Sequence, residues 1–358
     1  MSWFLAFAGF ALLIMLHEAG HFAAAKAVGM RVERFSLFFP PFLARKTVGE
    51  TEYAIGAIPL GGYVKISGMN PDQHLPEEVR DRAYHAQPVW KRMVVIAAGP
   101  FVNLVLALLL LFVFYWQIGP VEQAVDKVDP GYPAAGQLQR GDVIRSVDGR
   151  GGSQRELADR IAAHRCAKQP PVARCAAATP ATIVVERGGE PRTLRISPIY
   201  DAKRKRMRVG FVYGDTGPRQ PDSFGTAWSN SFDRFWFVTR ETVKLPARLI
   251  DSKKRKEVSS VVGGYEVTRQ TILQRVGDVV GVLAIISLSL AIINLFPFLP
   301  LDGGHIFWAA VEKVRRRPVP LAVMERASVI GFMLVIGVFF IGLSNDIDRL
   351  FGEGFQVK

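Results

Sequence analysis

Cysteine is nearly absent from this chain: 358 residues contain two, Cys166 and Cys175. That excludes a cysteine-built structural zinc site and any disulfide framework beyond one bridge. No segment is of low complexity and no repeat of solenoid period recurs, which argues against stacked-repeat architectures and against the paired halves expected of a transporter. Acidic residues are in deficit, 32 Asp and Glu against 45 Lys and Arg, for a net charge of +13. A basic balance can signal nucleic acid. Here the basic residues are spread over several loops beside apolar runs, which suits anionic lipid heads and gives no reason to expect a nucleic-acid partner. Polar sequence is scarce too. Hydrophobic residues make up 49% and mean hydropathy is +0.17, too apolar for an ordinary soluble domain.

A membrane span needs roughly 20 mostly apolar residues. Four stretches qualify: Trp3 to Gly29, Met93 to Gly119, Val276 to Leu301, and Ala327 to Leu343. A cleaved signal peptide is disfavoured for the first, which has no basic segment before it and no A-x-A site after a short apolar core. Arg31, Arg34, Arg45, Lys46, Lys65, Arg80, Arg82, Lys91 and Arg92 lie between the first two spans; Lys313, Arg315, Arg316, Arg317 and Arg326 lie between the last two. Both loops are expected to face the cytoplasm, leaving the chain ends and the long middle segment outside. The expected division is 1–29 (first span), 30–92 (cytoplasmic loop), 93–119 (second span), 120–200 (inserted domain), 201–275 (linker), 276–305 (third span), 306–326 (cytoplasmic loop), 327–345 (fourth span) and 346–358 (tail).

Residues 50–66, ETEYAIGAIPLGGYVKI, alternate about Pro59-Leu60-Gly61-Gly62 and read as a short hairpin or bent strand pair. In the middle segment, Gly141-Asp142 leads into the strand VIRSV, Asp148-Gly149 turns the chain, the helix RELADRIAAH follows, and Gly188-Gly189 joins the strands TIVVER and RTLRISPI. That order resembles a bacterial PDZ domain, apart from the insertion around Cys166 and Cys175. The two cysteines are placed outside, where a bridge between them persists if it forms. Residues 223–250 space Phe224, Trp228, Phe232, Phe235 and Trp236 as an amphipathic helix, lying on the membrane surface or packed on the inserted domain.

The chemistry sits in the first span. His17-Glu18-Ala19-Gly20-His21 is an HExxH motif. Residues four apart share a helix face, so both imidazoles can bind one Zn²⁺ with Glu18 beside its water. Ionisable groups are costly within an apolar span and mark function there. Catalytic zinc normally takes three protein ligands and keeps one position open. Asp302 is the favoured third ligand, in NLFPFLPLDGGH where Pro297 and Pro300 break the third span; His305 is its rival. Broken backbone at membrane depth is tolerated only inside protein or along a wet cavity.

HExxH in the first span, LDG after a proline-interrupted span and a PDZ-like domain between them resemble the site-2 protease family, most closely the bacterial type that frees sigma factors by cutting their membrane-bound inhibitors. The resemblance covers nearly the whole chain. It implies an α-helical polytopic membrane protein with four transmembrane helices, a membrane-associated β-loop and an inserted extracytoplasmic PDZ-like α/β domain. It further implies a zinc metalloendopeptidase of the cell membrane with one Zn²⁺ per chain and its active site toward the cytoplasm. His17, His21 and Asp302 carry over as zinc ligands and Glu18 as catalytic base. Gly99-Pro100-Phe101-Val102-Asn103 matches the second-span GPxxN signature, in which Asn103 is expected to hydrogen-bond between helices. Gly61, Gly62 and Tyr63 match the β-loop that engages substrate. Asn294 matches the third-span asparagine, expected to donate to the oxyanion or to hold substrate backbone. The implied partners are transmembrane substrates, membrane lipids, and a peptide or ectodomain at the PDZ-like domain; anti-sigma factors and remnant signal peptides are both open as substrates. Three features depart from the family pattern. Pro300 falls one place late, SSVVGGYEV lacks the usual Gly-Pro-Val-Gly, and one PDZ-like domain stands where some relatives have two. A non-catalytic membrane scaffold is the competing class, but it would need four protein ligands on a structural metal.

Overall fold

The computed structural model describes residues 2–70, 73–167, 171–251, 254–274, 276–317 and 319–351. In chain order it forms α1 (Ser2–Ala27), β1 (Val32–Val48), β2 (Thr51–Ile66), the single turn α2 (Glu77–Arg80), α3 (Val89–Val113), β3 (Ala124–Val128), β4 (Val143–Val147), α4 (Gln154–Ala163), β5 (Ala181–Arg187), β6 (Glu190–Ile196), β7 (Ile199–Asp201), β8 (Arg206–Arg208), β9 (Phe211–Gly214), α5 (Phe224–Val243), α6 (Leu245–Ile250), α7 (Val261–Gln274), α8 (Val279–Asn294), α9 (Asp302–Arg315) and α10 (Leu321–Phe351). Two compact units result: Met1–Gln117 with Ser223–Lys358, and Ile118–Asp222.

Among the described residues, the first unit holds four helices long and apolar enough to cross a membrane: α1, α3 with its continuation to Ile118, the 276–294 segment ending in α8, and α10. Each expected span falls on one of these helices, with altered ends. The third expected span, 276–305, stops at Asn294, and Asp302 begins a separate helix, because Pro297 and Pro300 remove the amides a continuing helix needs. The expected 306–326 loop is largely the rest of α9 and the start of α10. Of the expected tail, 346–351 continues α10, and 352–358 lie outside the described residues.

Small residues let α1 and α3 cross closely. A Cβ on Gly20 would stand 2.6 Å from the Ala98 carbonyl oxygen. Helix α5 follows the expected 223–250 segment but ends at Val243, before Pro246 enters the next helix. It packs on α3 and α8 through Val238, Ala107 and Leu288, with Trp228 stacked on Phe112.

The strand pair differs from expectation. Residues 51–66 do not fold on themselves; β2 pairs antiparallel with β1, from Val48↔Thr51 at the tip to Val32↔Ile66 at the base. Gly49, at φ 62°, makes the turn. Residues 34–37 have partners on both sides, 52–55 and 62–65, so β2 bends around β1 near Pro59. Beside the tip, Glu50 takes Lys26 at 2.6 Å and Arg82 at 2.7 and 2.8 Å. The Arg82 guanidinium first, then Lys26, holds its carboxyl at about 2, below the ordinary 4.5. A depressed carboxylate stabilises fully above the unfolded value and loses that contribution as pH falls through the folded one. Amide-exchange protection of residues 48–51 is therefore expected to fall between pH 4.5 and 2, and this pH dependence to vanish in Glu50→Gln. Equal dependence in the two proteins would remove the role assigned to Glu50.

The second unit contains the sheets β3-β9, β4-β5-β6 and β7-β8 with α4. VIRSV, RELADRIAAH and TIVVER appear as β4, α4 and β5 at or near their expected bounds. Its core is Val125, Leu138, Val147, Leu157, Ile161, Ile183, Val185 and Ile196. Truncating such a side chain to alanine typically costs about 2–5 kcal/mol. Gly188 and Gly189, at φ 60° and 86°, meet the left-handed requirement of the tight β5–β6 turn. The Asp142 of the Gly-Asp pair is fully buried and held by Arg187 through two contacts of 2.7 Å. Ser153 and Glu156 form a capping box at the start of α4. Cys166 and Cys175 are joined by a disulfide.

Candidate metal centre

One turn apart on α1, His17 and His21 are both buried, 7% exposed. Their Nε2 atoms lie 3.2 Å apart, and Asp302 Oδ2 stands 3.2 Å from the first and 3.4 Å from the second. Ligands about 2.0–2.1 Å from one tetrahedral ion are separated by roughly 3.3 Å, so three donors at these spacings fit a single Zn²⁺. Asp302 Oδ2 is buried and has no hydrogen-bond partner among the described residues despite its closeness to both rings. An orphaned buried carboxylate oxygen is costly, and a cation between the three groups removes that cost. The donor set and its arrangement therefore fit the metal. His305, the rival ligand, is outside the triplet, one turn further along α9.

Helix α3 supplies the support. Val95, Gly99 and Asn103 recur every four residues and face α1. His21 Nδ1 donates to the Val95 carbonyl at 2.8 Å, which leaves its Nε2 lone pair free for a metal. Asn103 is fully buried with its amide 3.4 Å from His17 Nδ1. Between them, Gly99 lies against the His21 ring, where any Cβ would overlap Nε2, Cε1 and Cδ2.

Asp302 is delivered by backbone packing. It opens α9 after Leu301, where a carboxylate also complements the helix dipole. Cβ atoms on Gly303 and Gly304 would strike the backbone at Leu295 and Phe296, and at Phe298 and Leu299. Both positions thus need glycine for the first turn of α9 to close on the preceding loop. Further along, Glu312 accepts two hydrogen bonds from Arg92, at 2.6 and 3.0 Å, tying α9 to the start of α3. Sequence reasoning missed Val95 and the Arg92–Glu312 pair. The first acts through its backbone, and the second spans 220 residues.

The hairpin reaches the centre at Gly62, whose missing Cβ would sit 2.8 Å from Glu18 Cγ. Gly61 faces the Phe39 ring, and Tyr63 stacks on Phe39 with ring centroids 5.7 Å apart while accepting from Arg34 at 3.1 Å. Asn294 is half-buried in the last turn of α8, and nothing joins it to the triplet in the described contacts.

The family model for peptidase family M50 matches residues 5–338. This chain belongs to that family, the site-2 proteases. Among its M50 relatives, a Nostoc protein is 29% identical over 94% of this chain and 93% of its own length. A Brucella suis protein is 30% identical, covering 94% and 92%, and one from Campylobacter jejuni is 27% identical, covering 95% and 92%. All three bear names that provisionally make them zinc metalloproteases. Membership and those names support a metalloprotease using zinc, and the four apolar helices fit a multi-pass membrane protein.

Proposed function

We propose that this M50 chain is an intramembrane zinc endopeptidase that cuts transmembrane segments of other membrane proteins, holding one Zn²⁺ on His17, His21 and Asp302. The observation that carries the reading is the convergence of the three donor atoms inside a bundle of apolar helices. Bound there, zinc supplies a Lewis acid that polarises a peptide carbonyl and acidifies water. Glu18, one residue from the first ligand and beneath Gly62, accepts the attacking water's proton and returns it to the leaving amine. Asn294 donates to the developing oxyanion or holds substrate backbone.

A transmembrane helix hides its amides in its own hydrogen bonds, so the substrate unwinds before attack. In the described residues, 62–66 is paired on one side only, which suits capture of the unwound segment as an added strand beside Gly61, Gly62 and Tyr63. On this reading 118–222 is a PDZ-like filter outside the cytoplasm that admits substrates after an earlier cut has shortened their outer part, and the centre opens toward the cytoplasm. The strand and helix order about Gly141-Asp142 supports the PDZ-like reading. The Cys166–Cys175 bridge, of a kind that persists in oxidising compartments, supports placing 118–222 outside the cytoplasm. Membrane-bound inhibitors of sigma factors and remnant signal peptides both meet the substrate requirement.

The test uses the whole chain purified in detergent. It is expected to hold about one zinc, to cut a single-span model substrate, to lose both with a chelator and to regain both with zinc. Asp302→Asn should weaken zinc binding by at least about tenfold, while His305→Ala leaves it unchanged. Zinc-loaded protein that leaves every single-span substrate intact, or Asp302→Asn with undiminished zinc affinity, would overturn the proposal.

A further inference from the structure

We infer that Asn103 is a positioning residue for the metal, fixing the tautomer and orientation of His17 by accepting a hydrogen bond from its Nδ1–H. The inference rests on the zinc reading of the centre. Asn103 Nδ2 lies 3.4 Å from His17 Nδ1, and Asn103 Oδ1 is buried with no partner among the described residues.

With its nitrogen toward His17, the amide donates to Nδ1. A histidine accepting at Nδ1 carries its proton on Nε2, the atom that faces His21 and Asp302. That arrangement blocks metal binding through Nε2. A half-turn of the amide exchanges its oxygen and nitrogen with no change in shape. Oδ1 then faces Nδ1 and accepts its proton, and Nε2 presents a lone pair to the metal. His21 on the same helix already has this arrangement, with Nδ1 donating to Val95. The two supports lie eight residues apart on one face of α3, and the two imidazoles four apart on one face of α1. Each ring thus has one α3 acceptor behind it. Ser287 Oγ donates to the Asn103 backbone carbonyl at 3.0 Å, which ties that turn of α3 to α8.

Partners of this kind typically change metal affinity by about 10–100-fold when removed. The test is zinc affinity of the purified whole chain, read by competition with a chromophoric chelator, together with the absorption spectrum of the Co²⁺-substituted protein. Asn103→Ala should weaken zinc by that factor and alter the Co²⁺ bands. Asn103→Asp, which presents only acceptors to Nδ1–H, should restore affinity to within about threefold of wild type. Three results overturn the inference: unchanged affinity in Asn103→Ala; Asn103→Asp as weak as Asn103→Ala, since a donor role is not rescued by a carboxylate; or Asn103→Leu, of similar volume and without an acceptor, as tight as wild type, since a packing role alone would survive that change. Wild-type protein that binds no zinc would instead remove the underlying metal reading.

Discussion

Glu18→Gln is expected to abolish cleavage while leaving zinc content and affinity as in wild type. The amide has the shape of the carboxyl, so it keeps the packing beneath Gly62, where Glu18 Cγ leaves no room for a side chain at that position. It is outside the three-donor cluster, so the metal has no reason to leave. What it cannot do is accept a proton. A positioned general base contributes about 10²–10⁴ in rate, so the loss should fall in that range or beyond it. Initial rates on a single-span substrate, with zinc measured on the same preparation, decide the matter. Cleavage within tenfold of wild type would show that another group takes the proton.

Gly99→Ala tests the centre from its neighbour. The added methyl overlaps three atoms of the His21 ring, the metal-facing Nε2 among them. The ring cannot swing aside cheaply, because Nδ1 is tied to the Val95 carbonyl on the same helix. Either that hydrogen bond breaks or α1 and α3 move apart, and in both cases the ligand leaves its place. Alanine is a better helix former than glycine by about 1 kcal/mol, so α3 itself should not suffer. Zinc affinity is expected to fall by at least about a hundredfold, and cleavage with it. Undiminished zinc binding would mean that the two helices do not meet as closely as described.

Legibility followed the range of the interactions. The four spans were readable because a long apolar run is a local property, although their ends were not: the α8–α9 break lies where Pro297 and Pro300 interrupt the run, and Asp302 starts a new helix instead of finishing the old one. Strand β1 was missed. Its Pro40-Pro41 pair and its Arg45-Lys46-Thr47 end look like loop, and its strand character comes from pairing with β2. Strands β4, β5 and β6 were readable because the Gly-Asp and Gly-Gly steps punctuate short apolar alternations, whereas β3 and β7 to β9 were not, and 201–222, expected as linker, belongs to the second unit. The packing of α5 on α3 and α8 was not legible, because Ala107, Val238 and Leu288 meet from three distant helices.

From the residues alone followed an apolar chain carrying two imidazoles on one helical face with the Glu18 carboxylate next to the first, because a spacing of four is a property of the helix itself. Folding had to choose between Asp302 and His305, put the Val95 carbonyl and the Asn103 amide behind the rings 74 and 86 residues away, and make Gly99 a contact of His21. Those choices turn on how closely separate helices approach, a sum of packing contacts between distant segments that no stretch of sequence carries by itself.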